Sequence, residues 1–229
     1  MSDVTMAEAA APTLWGPTSI PLGESRGWRV GPLNLLVERR PWEWTFRWWR
    51  DGRWLDNVLD ISIPGEQMVE PEGVERRRFA FGATVDPLHL APRLGDRSFV
   101  ATPDEPFYVL PAESIRAYVS IPVWVQALVG QKRQLTVDLP VVRPHNTWFG
   151  GPTSGVLCYA SRTAMRLEID RFAALAHRAL VSVDVINRGA TALTVSRLNI
   201  PIPHLALMQD DRGQLRTPPV VFTRDKDEF

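Results

Sequence analysis

With one cysteine in 229 residues, Cys158, the chain has no partner for an intrachain disulfide, so a disulfide-stapled secreted domain is excluded. Surplus charge is missing as well. The 26 Lys+Arg balance 26 Asp+Glu, which leaves no basic excess to neutralise phosphates and argues against a nucleic-acid partner. Long apolar runs are absent. The uncharged stretch Ala117 to Gln131 is too short, and too broken by Pro, Ser and Gln, to cross a bilayer as a helix, so no membrane insertion is expected. Met1 to Ser25 holds no Lys or Arg and carries Asp3, Glu8 and Glu24. A secretory leader needs a positive start and an apolar run of about ten residues, so the expected location is cytoplasmic.

Catalytic signatures are missing too. No G-x-S-x-G elbow, Walker loop or Rossmann glycine fingerprint occurs. The four histidines, His89, His145, His177 and His204, stand far apart, with none of the close pairs that let one element supply two metal ligands. The sequence therefore assigns no catalytic residue, no metal and no cofactor. Cys158, in the strand-like run Gly155-Val-Leu-Cys-Tyr, reads as a buried small hydrophobe.

What is present is β pattern. Apolar residues make up 45% of the chain, enough for a core, while 20 prolines forbid long helices. Between the prolines, apolar positions alternate: Trp44, Phe46 and Trp48; Phe79 and Phe81; Ile115, Ala117, Val119 and Ile121; Leu135, Val137 and Leu139; Val181, Val183 and Val185. Period two marks half-buried antiparallel strands. Asp51-Gly52, Asn187-Arg188-Gly189 and Asp210 to Gly213 read as hairpin turns. The expected fold is all-β, one or more antiparallel β-sandwiches with Ig-like C-terminal hairpins. One departure is predicted, a short helix over 170–177, where Met165, Ile169, Phe172, Ala176 and Leu180 recur at three- and four-residue steps. Residues 1–13 read as a flexible tail and 14–229 as a single body, or as two packed sandwich halves divided near 140–146.

The candidate binding residues come from two places. Six of nine tryptophans lie between Trp28 and Trp54. One strand face fills a core, so Trp42 or Trp49 is left for the surface, as a protein-binding hot spot or a sugar platform. The run Phe149 to Gly155 supplies Gly150, Gly151, Thr153 and Ser154, whose N–H and hydroxyl groups suit an anion nest, although glycine angles in a tight connection account for it equally. Arg outnumbers Lys by 24 to 2, and Arg76 and Arg78 share one strand face. Such a run reads as a solvated edge that discourages edge-to-edge pairing. Glu43, Asp138, Glu168, Asp170 and Asp184 offer carboxylates, but nothing pairs two of them for acid–base work.

Several segments read together resemble a known family. They are Trp28-Arg-Val-Gly-Pro-Leu-Asn-Leu, Thr147-Trp-Phe-Gly-Gly-Pro-Thr-Ser-Gly-Val-Leu-Cys-Tyr-Ala, Leu198-Asn-Ile-Pro-Ile-Pro-His-Leu and Asp211-Arg-Gly-Gln-Leu-Arg-Thr. Across most of residues 14–224 the chain is similar to an uncharacterised family of bacterial and archaeal proteins known only as a domain of unknown function. The resemblance carries no catalytic residue. Through members linked to small mechanosensitive channels, it implies a soluble partner or sensor beside a membrane protein.

The expectation is thus a non-catalytic interaction module that binds another protein or its own copies. A small-ligand or carbohydrate-binding sandwich stands second. A hydrolase built from His145, Asp138 or Glu168 stands third. Because residues 1–13 lack an apolar anchor, their deletion is predicted to leave the melting temperature unchanged within error. A drop of several degrees in a calorimetric scan would show that the segment docks.

Overall fold

Alternation and proline spacing produce strands almost everywhere in a computed structural model, which describes residues 14–225 except 54, 162 and 163. The expected tail over 1–13 lies outside the described residues. The fold is all-β, built from several mainly antiparallel sheets, and the described helices are three single 3-10 turns. The first five-stranded sheet runs in the order Leu59–Pro64, Ser25–Val30, Leu33–Arg40, Glu43–Arg50, Glu75–Ala80. A four-stranded sheet orders Gly16–Thr18, Leu88–Arg93, Trp124–Val129, Gln134–Pro140. In the C-terminal sheet, Arg178–Asn187 lies between Ser114–Pro122 and two parallel neighbours, Leu215–Arg216 and Val220–Arg224. A further sheet holds the hairpin His145–Phe149 and Val156–Ala160, with Phe99–Ala101 and Leu198–Ile200 beyond it.

The expected faces are the buried ones. Trp44, Phe46 and Trp48 point inward, as do Ala117, Val119 and Ile121, and Val181, Val183 and Val185. With Trp28, Leu35, Leu90 and Val125 they join one continuous apolar cluster drawn from Leu14 to Val220. Val141 and Val142, inside the segment read as a seam, belong to it. Burial on this scale is the main stabilising term, at roughly 1.5–3 kcal/mol per large side chain.

Four readings are corrected. Asp51-Gly52 does turn the chain, with Gly52 at φ +73°, but it joins no hairpin: Leu59–Pro64 crosses to the far edge and pairs with Ser25–Val30. Asn187 to Gly189 likewise joins no hairpin, because Leu193–Val195 pairs with Phe107–Val109. Buried Asn187 instead donates Nδ2 to the carbonyls of Val109 and Thr191, at 2.9 and 2.8 Å. The helix expected over 170–177 shrinks to the 3-10 turn Ile169–Arg171. Met165 and Arg166 bridge to Pro103 and Tyr118, and the strand begins at Arg178, so sheet pairing on both sides overrides the helical spacing. Finally, Leu135 is half exposed. A bulge between Ala127 and Leu128 shifts the register, Thr136 turns inward, and its hydroxyl donates to the Ala127 carbonyl at 2.7 Å. The third turn, Asp210 to Gly213, does join Met208–Gln209 to Leu215–Arg216.

One side chain fastens the end of the molecule where Leu33–Arg40 turns into Glu43–Arg50. The Arg39 guanidinium, only 13% exposed, donates to the Ile20 and Thr84 carbonyls at 2.9 and 3.0 Å and lies 3.3 Å from Asp86. It also sits 5.6 Å from the Trp44 ring centre. Removing one partner of a buried, hydrogen-bonded charge is costly because the remaining groups stay desolvated. Arg39→Met is therefore predicted to cost about 3 kcal/mol in chemical denaturation, and a loss below 1 kcal/mol would contradict this role.

Candidate functional site

The turn between Leu33–Arg40 and Glu43–Arg50 contains Pro41 and Trp42, and the backbone of residues 81–84 clamps it. The Phe81 N–H donates to the Trp42 carbonyl at 2.8 Å, and the Thr84 N–H to the Pro41 carbonyl at 3.0 Å. The Thr84 hydroxyl donates to the Arg40 carbonyl at 2.7 Å. On this braced tip the Trp42 side chain is 66% exposed. The same strip forms one wall of a pocket of about 250 Å³, lined by Trp44, Phe81, Ala83, Val85, Val129 and Lys132, with glutamines at its edge. Val85 on this wall and Leu135, next in sequence to Gln134 of the lining, are exposed apolar side chains. An exposed indole on a braced turn beside an apolar pocket suits protein contact.

Trp49 goes elsewhere. It packs with Leu36 and Met68 in a small second cluster and is 9% exposed. Its edge, with that of Trp48, meets an open cleft of about 600 Å³ lined also by Arg50, Glu75, Pro71 and Arg143. Arg50 donates Nε to the Pro140 carbonyl at 3.1 Å, and Arg143 lies 2.6 Å from Glu75. Burial, and then the like charge of Arg143, pulls Arg50 below its usual range, with Glu75 opposing. Two indoles with so little exposed surface offer no face for a sugar to stack on. Trp42 and Trp49 flank opposite ends of one strand, roughly 20 Å apart by strand rise, so they form no common site.

Gly150, Gly151, Thr153 and Ser154 form a third place, the exposed turn joining His145–Phe149 to Val156–Ala160. The Gly155 N–H and the Trp148 indole N–H both donate to the Gly151 carbonyl, at 2.8 and 2.9 Å. The turn thus closes on itself. Gly150 has φ +107°, and a Cβ at Gly155 would lie 2.3 Å from Trp148 Nε1 and 2.7 Å from the Phe149 carbonyl. Gly151 needs no left-handed angle, and a Cβ there meets only the Ser154 hydroxyl at 3.0 Å.

Several groups with chemistry are tied up structurally. Arg116 and Asp184 stand opposite each other across two strands and share two hydrogen bonds, at 2.6 and 2.9 Å, which hold the Asp184 carboxyl below its usual range. Asp138 lies 2.6 Å from Arg93, and Glu43 is bound by Arg78. Arg78 shares the outer sheet face with Arg76, as its alternation predicts. Buried Cys158 has its thiol pushed up by burial. The Tyr159 hydroxyl donates to Asp96 at 2.6 Å, and burial followed by that carboxylate pushes it up to about 12. Among the described residues no three His, Cys, Asp or Glu side chains group as metal ligands, and no helix is long and apolar enough to cross a membrane. The sequence singled out Trp42, which is exposed, but not Phe81, Ala83, Val85 and Lys132 of the adjacent pocket. The uncharged run Phe81 to Val85 between strands was the available signal.

The turn geometry yields a ranked expectation. Gly155→Ala and Gly150→Ala should cost about 1–2 kcal/mol each and lower the melting temperature, while Gly151→Ala should melt like the parent. Equal melting of all three variants would contradict this account.

Comparison with known proteins gives one match. No curated protein and no solved structure matches the chain. A family model described as "Protein of unknown function (DUF432)" matches residues 14–229, nearly the whole sequence. The chain therefore belongs to the DUF432 family.

Proposed function

We propose that this protein is a non-catalytic protein-binding module that makes contact through its Trp42 end. One observation carries the reading: Trp42 is 66% exposed on a turn that residues 81–84 hold rigid. Ordering a flexible segment on binding costs free energy, and a turn whose backbone is already bonded loses little, leaving only the two torsions of the indole to be fixed. Trp is also the residue type most enriched at binding hot spots. The ion-paired carboxylates and buried thiol favour binding over chemistry. A single buried cysteine also fits a reducing compartment such as the cytoplasm.

The immobilised chain, exposed to lysate of its source cells, should retain a stoichiometric protein or copies of itself. Trp42→Ser should weaken that retention about thirtyfold, the effect of a typical hot spot, without changing the melting temperature. A strictly monomeric chain that retains nothing would overturn the reading.

A further inference from the structure

Resting on that reading, we infer that the Trp42 end is the interface of a symmetric homodimer, in which Trp42 of each copy enters the pocket beside Trp42 of the other. Three observations converge on a second copy as the occupant. The first is size: a pocket of about 250 Å³ has room for one large aromatic side chain. The second is position. Knob and hole share one backbone strip, since Phe81 bonds the Trp42 carbonyl and also lines the pocket. Two such features side by side on one surface are self-complementary under a twofold axis, because each copy offers what the other lacks. The third is chemistry. The pocket walls are the apolar side chains of Trp44, Phe81, Ala83, Val85 and Val129, and Lys132 stands at the rim. No ion pair engages that ammonium group among the described residues, so it suits the face of an inserted indole through a cation–π contact.

The test is sedimentation equilibrium of the full chain over a range of concentrations, with Trp42→Ser, Ala83→Trp and the double variant. Ala83 is exposed on the pocket wall, so a larger side chain there fills the hole without entering the core. Wild type should dimerise, and each single variant should raise the dissociation constant at least tenfold while keeping the parent's melting temperature. The double variant should be no weaker than the worse single one, because a hole with no knob to receive is already silent. Three outcomes overturn the inference: a monomeric wild type, a dimer indifferent to both substitutions, or effects that multiply in the double variant. A monomer that still captures another protein through Trp42 defeats the dimer alone. A monomer that captures nothing defeats the binding reading with it.

Discussion

The Arg39 guanidinium is the contact on which the Trp42 end of this protein depends. It joins three segments distant in sequence: Ile20 near the first strand, the 84–86 turn, and its own hairpin. Asp86 completes the junction by accepting from the Ile20 N–H at 3.1 Å and from the Ser19 hydroxyl. Once the 84–86 turn is fixed, residues 81–84 lie where they can bond the carbonyls of residues 40, 41 and 42. Trp42 is thereby held out, and the pocket wall is held in. A lysine would not serve there, because an ammonium lacks the planar fork that reaches two carbonyls and a hydroxyl at once.

The same planar fork is used at several other places in the chain. Arg178, fully buried, donates Nε to the Ser120 hydroxyl at 2.8 Å. Arg50 ties the first sheet to the Pro140 carbonyl, and Arg116 binds Asp184 across adjacent strands. Exposed pairs of the last kind contribute about 0–1 kcal/mol each, so they fix register and neighbour more than they add stability.

Much of the fold was legible because alternation reports burial directly, as at Trp44, Phe46 and Trp48 and at Val181, Val183 and Val185. Strand order was not. The Asp51-Gly52 turn has good hairpin chemistry, yet the strand after it pairs at the opposite edge, and no local pattern encodes that crossing. Leu135 was misplaced because the extra residue Thr136 breaks the alternation between it and Val137, which keeps the expected buried face. Trp42 was identifiable as the indole outside the alternation, whereas Trp49 was not separable from it. Its burial depends on Met68, which reaches it from a segment nearly twenty residues on. The pocket was illegible for the same reason. Its walls come from residues 44, 81–85 and 129–134, which only the finished packing brings together.

The central position of Arg178–Asn187 has a kinetic consequence. Its antiparallel neighbour, Ser114–Pro122, is made well before it, but the parallel neighbour Val220–Arg224 emerges more than thirty residues later. During synthesis an apolar strand carrying Val181, Val183 and Val185 waits with one row of backbone groups unpaired. Such an edge is a template for pairing with another chain, and closing distant strands is slow. The interval before Val220–Arg224 docks is therefore one in which a nascent copy is open to pairing with another chain.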